Sequence, residues 1–261
     1  MNAPMNSRPH RVWLVTRSLA LWTVTWIHFL VVCLLVLAVG AVVDPRKTDR
    51  LQRGFCRNIL RLAGVRFEVR CSPGFDPSRT SIFISNHVNI FDPFVIYSAI
   101  PQFVRGFELE SHFQIPVYGW LMGRFGNVPV PDVPGREGLQ IMAGRARAAL
   151  ASGTSLIAFA EGSRTRTGRV QTFKKGIFTI AQKAGVPIVP MSIVGSYEFF
   201  RTGHWMLHPG KITIYLHDTI DTAQIARSDV DALRRRVQEI VSAPVEQSMR
   251  ANDSAGTAPA A

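Results

Sequence analysis

An uncharged apolar run of 25 residues, from position 19 to position 43, constrains this chain more than any other feature. As an α-helix rising about 1.5 Å per residue, the run reaches beyond the ~30 Å hydrocarbon core of a bilayer. A cleaved signal peptide is the competing interpretation, because Arg8, Arg11 and Arg17 precede the run. Signal cores, however, are typically ~7–15 residues long. We therefore predict a retained membrane helix, ahead of a signal peptide or a buried helix of a soluble domain.

The segment that follows the run, 44–65, is rich in basic residues: Arg46, Lys47, Arg50, Arg53, Arg57 and Arg61. Between them Leu51, Phe55, Ile59 and Leu62 recur at helical spacing, which predicts one apolar face. A basic amphipathic helix suits an anionic bilayer surface, and a domain helix packed on the core is the alternative. The basic excess favours the inner membrane with this side in the cytoplasm. Whether both helices lie in one leaflet stays open.

Composition narrows the function classes. Hydrophobic residues make up 47% of the chain, which favours a large core over disorder, and the net charge of +12 favours anionic partners. Three cysteines without a close pair indicate neither a disulfide framework nor a zinc site. The pair His204 and His208 lacks the glutamate of a metalloprotease helix, so we predict no metal. Nucleic acid is suggested by charge alone, and the apolar run argues against it.

From position 65 onward the pattern alternates between short apolar strands and helices. Strands are predicted at 65–70, 81–85, 102–107, 155–160, 188–194 and 211–217. Helices are predicted at 93–99, 136–151, 174–184 and 229–249. This alternation predicts an α/β fold with a mostly parallel central sheet flanked by helices. We divide the chain into an N-terminal membrane-associated helical segment (1–64), the α/β domain (65–250) and a disordered tail (251–261).

The stretch "SNHVNIFDPF", 85–94, carries the first candidate chemistry. His87 follows a predicted strand, at the sheet edge where α/β proteins tend to bind ligands. Asp92 precedes Pro93, which is typical of a helix N-cap. A loop between the two can also fold the carboxylate back onto the imidazole, fixing its tautomer and stabilising its charged form. Spacing alone favours the cap.

A second stretch, "FAEGSRTRTGRVQTFKKG" at 159–176, also follows a predicted strand. Its basic residues are Arg164, Arg166, Arg169, Lys174 and Lys175. A solvated basic face is the ordinary meaning of such a run. A base and a guanidinium-rich loop at one sheet edge would instead suit a substrate with both a hydroxyl and a phosphate.

Four blocks in this order resemble the glycerolipid acyltransferase family, especially the bacterial 1-acylglycerol-3-phosphate acyltransferases. "NHVNIFD" is similar to that family's Asn-His-(four residues)-Asp signature, and "FAEGSRTRTG" to its Phe-Pro-Glu-Gly-Thr-Arg-Ser block. "IPVYGWLMGRFGNVPV" resembles its glycine-containing block, and "GVPIVPMSIVGS" its apolar block. One block alone is weak, whereas four from 81 to 196 are specific.

The resemblance implies a reaction. His87 takes a proton from the free hydroxyl of a lysophospholipid while Asp92 orients and stabilises His87. The oxygen then attacks the thioester of acyl-CoA or acyl-carrier protein, without an acyl-enzyme or a cofactor. In agreement, the chain contains no Gly-x-Ser-x-Gly elbow. The implied substrate-binding residues are Asn86, Glu161, Gly162, Ser163, Arg164 and Lys174.

Three departures bear on the acceptor. Ala160 replaces the family's proline, and "VPVPD" replaces an Asp-Arg ending, so that Arg124 or Arg136 would have to substitute. "RGFEL", 105–109, replaces a lysine-rich segment. The expected acceptor is 1-acylglycerol-3-phosphate, giving phosphatidic acid. The alternatives are another lysolipid, such as lyso-ornithine lipid, and a non-catalytic membrane-tethered lipid-binding protein of the same fold.

Overall fold

The computed structural model describes residues 8–40, 43–133, 135–223 and 225–254. The helices are α1 (Arg8–Gly40), α2 (Asp49–Leu62), α3 (Asp92–Ala99), α4 (Tyr118–Phe125), α5 (Gly135–Ala151), α6 (Gly176–Ala184), α7 (Ser196–Phe199) and α8 (Val230–Ser254). The strands are β1 (Arg66–Cys71), β2 (Ile82–Ser85), β3 (Val104–Leu109), β4 (Val128–Val130), β5 (Ser155–Phe159), β6 (Ile188–Val194) and β7 (Lys211–Leu216). Short 3-10 helices cover Glu110–Gln114 and Arg227–Asp229.

The strands form one seven-stranded sheet in the order β1-β7-β6-β2-β5-β3-β4. Neighbouring strands are parallel except β6 and β7, which pair antiparallel. The α/β fold with a mostly parallel sheet, predicted from the alternation of strands and helices, is confirmed. Because β2, β5 and β6 run in the same direction side by side, the loops that follow them meet at one edge of the sheet.

Each face of the sheet carries its own core, because successive side chains of a strand point to opposite faces. Phe83 and Ile157 pack with α2 and α3 on one face. Ile82, Ile84 and Leu156 pack with α5, α6 and α8 on the other. Burial on both faces explains why these strands are continuous apolar runs.

Three elements were not predicted from the sequence. Strand β4 has three residues with Pro129 in the middle, which is tolerated because β4 is an edge strand. Helix α4 contains two glycines, and α7 spans four residues. Such short segments carry too few residues to show a period of 2 or 3.6.

Helix α1 contains most of the apolar run; positions 41 and 42 lie outside the described residues. Within the part of the chain that the structure describes, its segment Val12–Val39 alone is long and apolar enough to cross a membrane. Its outward row is exposed, as with Ile27 (58%) and Leu34 (61%). Its inward row packs on the domain, where the Trp22 ring lies 5.6 Å from those of Phe91 and Phe200.

Helix α2 belongs to the domain core. Ile59 and Leu60 are buried in the cluster beneath α3, whereas Leu51 is 67% exposed, so the predicted apolar face is buried in the domain only in part. Several of its basic side chains contact protein: Arg53 pairs with Asp49, and Arg57 donates to the Ser98 carbonyl. The domain-helix alternative therefore describes the buried side of α2.

At the other end, α8 continues through Ser254. The Asn252 side-chain amide donates to Glu198 Oε1 at 3.1 Å, which ties this last turn to α7. The predicted disordered tail is therefore wrong for 251–254, because the helix and its contact extend further than the apolar pattern indicates. The rest of that tail lies outside the described residues.

Candidate functional site

The loop after β2 opens with Asn86, whose side chain is buried. Its amide donates to the Ile193 carbonyl at 3.0 Å, and its oxygen accepts the Ile193 N–H at 2.8 Å. Both ends of the amide are thus used by β6. Asn86 fixes the start of the loop to the sheet, which corrects the substrate-binding role expected from the resemblance.

The structure brings His87 and Asp92 together. His87 Nδ1 lies 2.9 Å from Asp92 Oδ2, and the Asp92 carboxylate is fully buried. The same oxygen accepts the N–H groups of Val88 at 2.5 Å and Asn89 at 2.9 Å, while Oδ1 accepts the Ser196 hydroxyl at 2.8 Å. This network favours Nδ1–H on the imidazole and leaves Nε2 as the free nitrogen.

Asp92 does not cap α3. It is the first helical residue, and Phe91 occupies the N-cap position. Its carboxylate turns back to the amides of the preceding loop, so the carboxylate holds the shape of the loop and the imidazole at once. The alternative of cap or partner is resolved by geometry in favour of the partner.

The imidazole of His87 has a flat apolar neighbour. Its ring stacks on Phe159, at the end of β5, with centroids 3.8 Å apart and planes inclined by 16°. About 15% of the His87 side chain is exposed. The ring is therefore held between a carboxylate and an aromatic face, with one edge open.

Glu161 binds the backbone of the histidine loop. Its Oε1 accepts the His87 N–H at 2.8 Å, and its Oε2 accepts the Gln171 N–H at 3.0 Å. Ser85 pairs with Phe159 in the sheet, so His87 and Glu161 each lie two residues beyond paired positions. Burial raises the pKa of Glu161, and the backbone donors oppose that rise. Glu161 thus joins the two loops.

Replacing Glu161 by glutamine is expected to lower the thermal midpoint and kcat together. The KM for the expected acyl donor and the KM for the expected acceptor should both stay unchanged. Glutamine keeps one acceptor oxygen and points an NH₂ group at one of two backbone donors, which costs about 1–3 kcal/mol. Thermal unfolding and steady-state kinetics measure the change. Glu239→Gln on the exposed side of α8 is the matched control. A variant as active and as stable as wild type would exclude this positioning role.

The loop after β5 brings two of its basic residues, Arg164 and Lys174, to the cavity that His87 also lines. Gly162 has φ +74°, and the Lys174 side chain crosses directly over it, so any Cβ at this position would collide with the lysine. Arg164 and Lys174 are exposed. Ser163 takes part through its carbonyl, which accepts the Gln171 amide at 3.0 Å.

A cavity of about 950 Å³ opens at these residues. His87, Gly162, Arg164 and Lys174 line one part of it, and aromatic and aliphatic side chains of α1, α2, α3 and α4 line the rest. The structure thus gathers four of the predicted site residues around one cavity. Asn86, Asp92 and Glu161 lie buried behind it and hold the loop.

Arg105, in the segment that stands in place of the family's lysine-rich one, is 1% exposed and donates to the Val104 carbonyl at 2.7 Å, beside the Asp49 carboxylate at 3.6 Å. The two arginines considered as substitutes lie elsewhere. Arg124 donates to the Val43 carbonyl at 2.8 Å, and Arg136 is exposed at the start of α5. Neither substitute lines the cavity described above, which corrects the suggestion that one of them replaces the family's arginine.

Sequence reasoning missed Phe159, Ser196 and Asn89. Asn89 fastens the loop through its amide, which donates to the carbonyls of Ser196 and Phe200 at 2.8 Å. The sequence indicated these residues only by their position: Phe159 begins the block FAEGSRTRTG, and Ser196 ends the block GVPIVPMSIVGS. Their partners are 72 to 111 positions away in the chain, which no local pattern reveals.

Comparisons with known proteins fit this geometry. A family model described as Acyltransferase matches residues 51–194, more than half of the chain. The chain is 34% identical over 140 residues to the chloroplastic 1-acyl-sn-glycerol-3-phosphate acyltransferase BAT2 of Brassica napus, covering 53% of this chain and 40% of that protein. It is 31% identical over 162 residues to a 1-acyl-sn-glycerol-3-phosphate acyltransferase of Chlamydomonas reinhardtii, covering 62% and 48%. The match thus spans less than half the length of either relative.

The fold is also that of a solved structure. The 1-acyl-sn-glycerophosphate (LPA) acyltransferase PlsC from Thermotoga maritima matches with a TM-score of 0.77 and 24% identity, over 91% of this chain and 96% of that one. At this identity the likeness concerns the fold. The family model, which spans both the histidine loop and the Arg164 loop, shows that the chain belongs to the acyltransferase family.

Proposed function

We propose that this protein transfers an acyl chain from acyl-CoA or acyl-carrier protein to the free hydroxyl of a lysophospholipid. The acceptor is 1-acylglycerol-3-phosphate and the product is phosphatidic acid. One observation carries the proposal: the His87–Asp92 pair opens onto an apolar cavity whose rim carries Arg164 and Lys174. A base, an apolar volume and cations in one place match a reaction that joins a fatty chain to a phosphorylated alcohol.

The free Nε2 of His87 accepts the proton of the acceptor hydroxyl as its oxygen attacks the thioester carbonyl. An ester C–O bond forms and the C–S bond breaks. The leaving thiolate takes the proton back from the imidazolium, so the enzyme ends unchanged. Asp92 stabilises the imidazolium through its 2.9 Å contact with Nδ1. Both substrates meet directly, and positioning supplies much of the acceleration.

The acceptor phosphate binds at the rim. Arg164 offers a planar fork of donors suited to a phosphate, and Lys174 adds a point charge held over Gly162. This arrangement supports a head group seated between the two cations, with its hydroxyl directed at His87.

The apolar part of the cavity receives acyl chain. Its lining includes Leu121 and Met122 of the "YGWLM" stretch together with Phe94 and Phe107. Each methylene removed from water contributes about 0.8 kcal/mol, so a long chain would bind tightly in such a volume.

Filling the cavity from Gly106 is expected to select against long acyl donors. A Cβ at Gly106 would meet Asn127 Oδ1 at 3.5 Å and Tyr97 Oη at 3.8 Å, which are ordinary contacts, so the first carbon of a valine side chain fits. Each methylene displaced from the cavity lowers kcat/KM roughly fourfold. A panel of acyl-CoA chain lengths measures this, with Gly144→Val on the open side of α5 as control. An equal loss at every length would contradict the assignment.

One observation favours a second acceptor. Glu108 and Tyr118 line the same cavity, close to the place where the family's lysine-rich segment was expected. The Tyr118 hydroxyl donates to Glu108 Oε2 at 2.8 Å. Burial raises the pKa of Tyr118, as does the neighbouring Glu108, while Arg164 opposes the rise. The Glu108 carboxylate, held between Tyr118 and His112 at the cavity lining, suits a head group that carries an amine, as in lyso-ornithine lipid.

Assay of lysophosphatidate against lyso-ornithine lipid, with the same donor, decides between these acceptors. Faster turnover of lysophosphatidate supports the first proposal, and faster turnover of lyso-ornithine lipid supports the second. If the folded protein releases no thiol with either lipid or with any other lysolipid, the non-catalytic lipid-binding alternative remains.

Membrane attachment completes the proposal. The exposed apolar row of α1 supports a bilayer as partner, and the basic residues after α1 support an anionic surface and an inner-membrane protein with its catalytic domain in the cytoplasm. An enzyme held at the bilayer reaches an insoluble acceptor without extracting it into water.

A further inference from the structure

A loop that begins beside the histidine loop, where the Thr202 hydroxyl donates to the Val88 carbonyl at 2.8 Å, is also fastened to α1. This tryptophan loop, residues 201–208, connects α7 to β7. The Trp22 indole N–H donates to the Trp205 carbonyl at 2.6 Å. The Ser18 hydroxyl accepts the Leu207 N–H at 3.2 Å and lies 3.4 Å from the Leu207 carbonyl. The loop and the Ser18–Trp22 part of α1 are thus held together as one unit.

The side chains of the loop divide into an anchor and an outward group. Leu207 is 1% exposed and packs in the core, whereas the Trp205 side chain is 46% exposed although its backbone is bonded to α1. His204 and His208 are exposed, and Arg201 lies over the Tyr197 ring at 5.1 Å. An exposed tryptophan among cationic and amphipathic side chains is the composition found where proteins meet lipid head groups.

We propose that the tryptophan loop is a second bilayer contact, lying at the head-group level of an anionic membrane beside the apolar row of α1. The proposal rests on the membrane attachment proposed above for α1. The tryptophan loop is continuous with the exposed apolar row of α1. Ser18 and Trp22 hold the loop, and they alternate along the helix with the exposed Leu19 and Trp26.

The contact has a consequence for orientation. Trp205 places its indole at the boundary between head groups and hydrocarbon, and Arg201 meets anionic head groups. Each basic residue at such a surface raises the partitioning of a protein onto the membrane roughly fivefold. Since the loop is polar, the Ser18–Trp22 part of α1 stays near the head groups and does not descend to the bilayer centre. The loop therefore sets both the depth of α1 and the tilt of the catalytic domain.

The experiment places an environment-sensitive fluorophore at single cysteines of the full chain, reconstituted in bilayers of neutral and anionic lipid. Cys71 is replaced by serine because it is exposed, while Cys33 and Cys56 are buried. The unsubstituted Cys71→Ser protein gives the background. Labels are placed at Trp205→Cys and, with the tryptophan retained, at His204→Cys. Val24→Cys on α1 and Arg235→Cys on the exposed side of α8 are the references.

Quenching by lipids spin-labelled near the head group is expected to be several-fold stronger at 205 and 204 than at 235. Suppose the label at position 24 is strongly quenched, but the labels at 204 and 205 are quenched no more than the label at 235. That result would overturn the loop proposal and leave membrane attachment intact. Absence of quenching at 24 as well would overturn both. Arg201→Ala is expected to reduce quenching at 204 in anionic bilayers, whereas Arg235→Ala leaves it unchanged; equal effects would remove the charge contribution.

Discussion

Replacing His87 by alanine is expected to lower the rate of acyl transfer by about 10²- to 10⁴-fold, the range that a positioned general base contributes. The change removes the only group at the cavity rim whose free nitrogen can take the acceptor proton at neutral pH, among the lining residues described above. Asp92 stays bonded to Val88, Asn89 and Ser196, so the loop keeps its shape. Steady-state assays with lysophosphatidate and acyl-CoA measure the loss.

Two controls separate a base from a structural residue. The thermal midpoint of His87→Ala should fall only moderately, because one hydrogen bond and one stacking contact are lost while Asp92 keeps its other donors. Imidazole added to the assay should restore part of the rate by entering the space that the side chain leaves beside Phe159. Turnover near the wild-type level without imidazole would assign the base to another residue.

Replacing Arg164 by alanine is expected to raise KM for a phosphate-bearing acceptor by about 10- to 100-fold, while KM for acyl-CoA changes little. A hydrogen bond to a charged group contributes about 1.5–3 kcal/mol, and Arg164 lines the cavity beside the open edge of His87. Kinetics with each substrate varied in turn give both constants.

Arg166→Ala is the matched control, since Arg166 is an exposed arginine two positions along the same loop. Its carbonyl, which accepts the Tyr197 hydroxyl at 3.1 Å, is unaffected by the substitution. We expect Arg166→Ala to leave KM for the acceptor at its wild-type value. Equal changes in KM for donor and acceptor in Arg164→Ala would contradict a phosphate role.

The two predictions concern two residues at the same sheet edge and two different kinetic quantities, the rate of acyl transfer and KM for the acceptor. In the proposed mechanism His87 governs the chemical step and Arg164 governs acceptor affinity, so an acceptor without phosphate should lose little on Arg164→Ala and still depend on His87. The acceptor comparison therefore also tests which head group the site recognises, with Glu108 as the residue that would favour an amine.

Much of the fold follows from local pattern. Strand β6 was predicted at its observed bounds, and β2, β5 and β7 to within one residue at an end, because buried strands are apolar runs bounded by turns. The apolar helix followed from length and lack of charge. Residues of β4, α4 and α7 were missed because their patterns are too short to be distinctive.

For the site, the sequence by itself determined which groups are available: an imidazole and a carboxylate five residues apart, and arginines after a strand. It could not decide where their side chains point, since a cap and a catalytic partner have the same spacing. The tertiary structure decided this through distant contacts. Ser196 and the loop amides hold Asp92 toward His87. The Asn86 side chain is hydrogen-bonded to the backbone of Ile193, and the Glu161 side chain accepts the backbone N–H of His87. Hydrogen-bond partners more than 70 positions apart are chosen by packing of the sheet, and no local pattern encodes that choice.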